Sequence, residues 1–73
     1  MKEMLNSYEG KFYTRLSDLT AELEADGYEV LEATAEVIVV GYEDDGEDVQ
    51  AELRLTGTES TIAVRMTREI YRA

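Results

Sequence analysis

Two sets of carboxylates are the side chains of this sequence best placed to do chemistry. One is the run Glu43-Asp44-Asp45-Gly46-Glu47-Asp48, five acids in six residues. The other is Asp18, Glu22 and Asp26, spaced i, i+4, i+8, with Glu24 beside them. Carboxylates can act in three ways. A pair of them can hydrolyse a glycoside as acid and base. A cluster can hold a hard cation such as calcium. A row can present negative charge to a basic surface.

The first two uses find little support. The chain has no histidine for proton transfer near neutral pH and no cysteine nucleophile. It has no glycine-rich phosphate loop, and Ser7, Ser17 and Ser60 have no base in prospect. No enzymatic activity and no cofactor are expected. Asp44, Gly46 and Asp48 do not fit the calcium-loop spacing with its distal glutamate, so the run reads as a solvated hairpin tip with no metal.

The third use agrees with the charge balance. Seventeen Asp and Glu stand against seven Lys and Arg in 73 residues, a formal charge of −10. Such a chain repels nucleic acid and anionic lipid, and attracts basic proteins. Arg65, Arg68 and Arg72 make at most a small basic patch, so neither direct nucleic-acid binding nor membrane binding is expected. Four helical residues rise about 6 Å, close to the step between successive phosphates along one strand. Asp18, Glu22 and Asp26 therefore match the charge spacing of a nucleic-acid backbone. The same stripe is also what an ordinary solvated helix face carries.

The elements that must position these acids follow from periodicity. Phe12, Leu16, Leu19 and Leu23 form one apolar stripe of a helix over about residues 7–26, which Met4 and Tyr8 extend backward. Asn6 and Glu9 have capping-box spacing, and Gly10 weakens the first turns. Gly27 suits a left-handed C′ position, with Tyr28 packing back on Leu23. Beyond it the period becomes two, and three strands are expected at about 29–43, 47–56 and 60–70. The expected fold is α+β, a single domain with one N-terminal helix on a three-stranded antiparallel meander (αβββ). With no cysteine or histidine, neither a disulfide nor a zinc site can brace so small a core.

A three-residue loop at 44–46 would pair Glu43 with Glu47, Val37 with Leu53 and Glu36 with Arg54. A two-residue loop at Thr58-Glu59 would pair Leu53 with Val64 and Glu52 with Arg65. Apolar residues then share one face, and opposite charges cancel on the other. In this register Ile38, Val40 and Tyr42 point away from the core. They form either an exposed dimer or partner surface or, if a bulge near 34–37 flips the phase, part of the interior.

In size, acidity and its two carboxylate patches, the chain resembles the small phage-encoded inhibitors of host defence, including anti-CRISPR proteins and other DNA mimics. The resemblance implies a mechanism. Asp18, Glu22, Asp26, Glu43, Asp44, Asp45, Glu47 and Asp48 would occupy a basic groove of a nucleic-acid-binding protein or complex and block it by competition. It also implies the cytoplasm of a prokaryotic host. The sequence shows no apolar leader at its start and no apolar run long enough to span a bilayer. Two other readings are a small dimerisation or adaptor module, and a protein adapted to high salt whose acidity serves solubility.

Overall fold

The computed structural model describes residues 5–58 and 60–73. A 3-10 turn (Leu5–Tyr8) leads into a two-residue strand β1 (Phe12–Tyr13) and helix α1 (Leu16–Ala25). Four strands follow: β2 (Glu29–Ala33), β3 (Val37–Asp44), β4 (Glu47–Gly57) and β5 (Ile62–Arg72). They form one antiparallel, five-stranded curled sheet in the order β1-β5-β4-β3-β2, with α1 and the N-terminal turn against its inner face. The α+β class and the meander are as expected, and the strand count rises from three to five.

One extra strand replaces the start of the expected helix, and the other comes from division of the expected first strand. Gly10 takes φ +87°, a left-handed conformation that stops a helix from running through it. Phe12 and Tyr13 are aromatic and favour the extended state, and they pair with Ala63 and Ile62 on β5. Backbone bonds from Gly10 to the Val64 carbonyl (2.8 Å) and from Val64 to the Lys11 carbonyl (3.0 Å) anchor the segment. The helix is thus ten residues long rather than twenty. Phe12, assigned to the helical core stripe, is 72% exposed. The capping box does not form: Glu9 instead accepts from the Thr67 N–H at 2.7 Å, closing part of the β5 edge. The extension of the stripe to Met4 lies outside the described residues.

The helix end is as expected. Tyr28 donates to the Leu23 carbonyl and Gly27 to the Glu24 carbonyl, both at 3.0 Å, with Gly27 at φ +93°. This is the paired-bond C-cap that a glycine at C′ permits.

The expected first strand is two strands, because the chain reverses at 34–36. The Thr34 hydroxyl accepts from the Glu36 and Val37 N–H groups and donates to the Val37 carbonyl, a side-chain-built turn. Ala33 then pairs with Ile38.

The register of β3 on β4 differs from expectation by one residue. Asp44 pairs with Glu47, Glu43 with Asp48, Val37 with Arg54 and Ile38 with Leu53. The loop has two residues, Asp45 (φ 52°) and Gly46 (φ 82°), both positive as a type I′ turn requires. Counting Asp44 into the loop moved the register by one, and a one-residue slip exchanges the faces of a strand. Ile38 and Val40 are therefore core residues, each 0% exposed, and Tyr42 is half-buried beside them. They do not form an exposed dimer surface.

The second register is corrected as well. Leu55 pairs with Val64, Leu53 with Thr67 and Glu52 with Arg68, with irregularities that leave Arg65 and Ile70 as extra residues on β5. The strands meet at Gly57 and Ile62, so the connection is 58–61, and Glu59 of the expected two-residue loop lies outside the described residues. A Cβ on Gly57 would lie 2.8 Å from the Thr61 carbonyl oxygen, so this close approach needs glycine.

The core joins Leu19 and Leu23 of α1 to Ile38, Val40, Ala51, Leu53, Leu55 and Val64 of the sheet, with Leu5, Tyr8 and Tyr28 at one side. Tyr28 stands edge-on to both Tyr8 and Tyr42, at centroid distances of 6.4 and 5.2 Å. No helix among the described residues is long and apolar enough to cross a membrane.

Candidate functional site: two acidic regions

The helix acids are held by the segment that packs beneath them. Glu22 accepts from Lys11 Nζ at 2.8 Å and from the Tyr13 hydroxyl at 2.6 Å. Asp26 accepts from the Tyr8 hydroxyl, and Tyr8 also reaches the Glu22 carbonyl at 3.3 Å. Asp18 accepts from the Thr14 hydroxyl at 3.4 Å. Lys11 also stands 4.8 Å from the centre of the Tyr8 ring. Every member of the i, i+4, i+8 stripe therefore has a partner within the chain.

Titration follows from this geometry. Burial, then the hydrogen bond to Asp26, pushes the Tyr8 hydroxyl far above the ordinary tyrosine range. Burial and the bond to Glu22 do the same for Tyr13. Lys11, then Tyr13, hold the Glu22 carboxyl below the usual glutamate value. Both tyrosines thus stay protonated as donors, and Glu22 stays ionised as acceptor.

The hairpin acids are divided by the pleat of the sheet. Asp44 and Glu47 lie on the side of the inward-facing Tyr42 and Val49, where Arg72 meets them at 3.2 and 3.7 Å. Arg72 also bonds Glu69 at 2.6 Å, and these contacts raise its affinity for its proton. Burial pushes the Tyr42 hydroxyl up, aided chiefly by the nearby charge of Glu69.

Glu43 and Asp48 lie on the opposite, outer side and face each other directly across the ladder. Among the described residues, no cation lies within 4.0 Å of Glu43, Asp45 or Asp48. Like charges directly opposite in an antiparallel pair destabilise it. Glu29, at the start of β2, borders the same place: with Glu43, Asp48, Gln50, Leu31 and Gly41 it lines an open cleft of about 530 Å³. Sequence spacing carries no sign of Glu29, because it is fourteen or more residues from the hairpin acids and is brought there by the β2–β3 turn.

The charge cancellation expected on the outer sheet face uses different partners. Glu52, nearly buried in the central strand, accepts from Arg68 Nε at 2.5 Å rather than pairing with Arg65. Arg54 lies opposite Val37, not Glu36. Neither Arg54 nor Arg65 has a carboxylate within 4.0 Å among the described residues. The eight acids singled out by sequence thus divide three ways. Asp18, Glu22 and Asp26 are tied into the fold, Asp44 and Glu47 share Arg72, and Glu43, Asp45 and Asp48 remain uncompensated.

No protein-family model matches the chain, and comparison with curated proteins and with solved structures finds no match.

Proposed function

We propose that this chain is a non-enzymatic interaction protein that blocks the basic, nucleic-acid-binding surface of a protein partner by charge mimicry, in the manner of anti-CRISPR inhibitors. The observation that supports this reading is the pair Glu43 and Asp48. Two carboxylates face each other at the end of a 39 Å-long molecule with no counter-ion among the described residues. An Arg or Lys placed between them satisfies both. Asp45 at the tip and Glu29 at the cleft extend the same surface. The helix acids contribute to the long-range field that steers a basic partner, and the outer hairpin acids make the contact.

The test is capture from a prokaryotic lysate at low and high salt, followed by titration of the captured protein with its own DNA or RNA. The captured partner should bind nucleic acid and lose it as this chain is added, with an apparent affinity that falls steeply with salt. The E43K/D48K double variant should leave the nucleic acid in place. Undiminished competition by that folded variant overturns the proposal.

A further inference from the structure

The outer face of the sheet extends beyond Glu43 and Asp48, the two residues of it on which the proposed function rests. Among the described residues no helix covers this face, and Leu31, Met66 and Tyr71 are exposed there or at its margins, Tyr71 by 54%. Val39 is half-buried in the middle, and Leu31 lies across Gly41, whose ideal Cβ position is 3.3 Å from the Leu31 side chain. Charge along the central strand is asymmetric on this face. Asp48 stands at one end, Gln50 and Glu52 in the middle, and Arg54 toward the other end. The edge strand β2 is bulged at Leu31, and β5, which the edge strand β1 covers at Ile62 and Ala63, is bulged beyond that cover at Arg65 and Ile70, which disfavours edge-to-edge pairing and leaves face-to-face packing as the way to cover this surface.

We propose that the outer face is the contact of a homodimer, in which a second copy of this chain packs sheet on sheet. The two-fold axis lies between the sheets, perpendicular to the strands at the level of Ala51. Strands of the two copies then run antiparallel, within the usual alignment of packed sheets. The observed register fixes what meets what. Asp48 lies over Arg54 of the second copy, three residues on either side of Ala51, and the symmetry makes this contact twice. Gln50 lies over Glu52 of the second copy, and Glu29, level with Gln50, lies over Glu32, level with Glu52, a like-charge contact that opposes the Asp48–Arg54 attraction and keeps the dimer weak. Leu31, at the level of Gln50, lies over Val39 of the second copy, at the level of Glu52. Tyr71, paired with Gln50, lies over Arg68 of the second copy, paired with Glu52, where the guanidinium can stack on the ring. Arg54, which has no ion-pair partner among the described residues of its own chain, gains one.

Four strands about 4.8 Å apart and eight residues long cover roughly 500 Å² per copy, near the lower edge of specific interfaces. The dimer is therefore weak, with a dissociation constant in the micromolar range. It covers Glu43 and Asp48, so self-association and partner capture exclude each other. The two proposals fail separately, because the dimer is measured on the pure chain alone.

The experiment is sedimentation equilibrium from about 10 µM to about 1 mM, at about 0.3 M salt. There the Debye length of about 6 Å screens the repulsion between two −10 chains while contacting pairs keep their attraction. Wild type should pass from monomer to dimer. Asp48→Arg and Arg54→Asp, each checked for native circular dichroism, should each raise the dissociation constant at least tenfold. The double swap should bring it back to within about threefold of wild type. Tyr71→Ser gives an independent reading and should weaken the dimer as well. A monomer throughout the range, single variants without effect, or a double swap as weak as the singles would overturn the proposal.

Discussion

On the helix, Glu22 meets Lys11 at 2.8 Å and the Tyr13 hydroxyl at 2.6 Å. At the hairpin, Glu43 meets another acid, Asp48, across the ladder. The helix acids close the fold, because they receive the hydroxyls of Tyr8 and Tyr13 and so fasten the N-terminal segment to α1. The outer hairpin acids close nothing and oppose the strand pairing that holds them. The comparison shows that carboxylates of one type, in runs that look alike in sequence, take opposite roles according to what the fold sets beside them.

The comparison can be tested from its strongest consequence to its weakest. Removing the Tyr8 ring should do most damage, because it is buried and touches both Tyr28 and the helix acids. Tyr8→Ala should cost about 3–5 kcal/mol, most of the stability of a domain this small. Thermal melting and denaturant titration would show it as loss of the cooperative transition. A folded Tyr8→Ala variant with a near-native midpoint would mean that the helix acids are not tied through this residue.

Alkaline pH gives the next effect. Tyr8, Tyr13 and Tyr42 all hold their protons more tightly in the folded chain than in the unfolded one. Their contribution is complete below about pH 10, the unfolded tyrosine value, and is lost as pH rises above it. Tyrosinate absorbance should therefore appear together with unfolding. Separate transitions would contradict the burial of these hydroxyls.

Glu22→Gln should cost less, about 0.5–1 kcal/mol, since the carboxylate is partly in water. Glu22 ionises more readily in the folded state, so its contribution is present above the ordinary glutamate pKa and fades as pH falls through its lowered value. Denaturant midpoints at pH 7 and in acid should converge for wild type and variant. A constant difference at all pH values would remove the ionic part of the interaction.

The smallest stability change belongs to the hairpin. Separating the like charges in a single Glu43→Lys variant should leave stability unchanged or raise it by a few tenths of a kcal/mol. Asp44→Lys should lower it, because it places a cation beside Arg72. A Glu43→Lys variant less stable than Asp44→Lys would refute the division of the hairpin acids between two faces.

How much of this was legible in the sequence depended on the range of the interaction. The helix end at Gly27 was readable because its cap lies within six residues. The alternation in β4 was readable because every second residue is apolar. The helix start was misread, because Phe12 continues the helical period while Gly10 and the β5 edge draw it into a strand. The face of β3 was misread because Val37-Ile38-Val39-Val40 is apolar on both sides, so the turn alone decides which half is buried. Counting three loop residues rather than the two of Asp45-Gly46 was enough to exchange Ile38 and Val40 with Val37 and Val39.

By itself, the sequence determined the α+β class, the acidity, the C-cap of the helix and the positions of the acidic runs, since these depend on composition and on neighbours a few residues apart. Which acids are compensated was decided by the tertiary structure alone. Tyr8, Lys11 and Tyr13 reach Asp26 and Glu22 across nine to eighteen residues, and Arg72 reaches Asp44 across twenty-eight. Charge depends on sequence, but its neutralisation depends on distance in space, and only the folded chain brings those partners within reach.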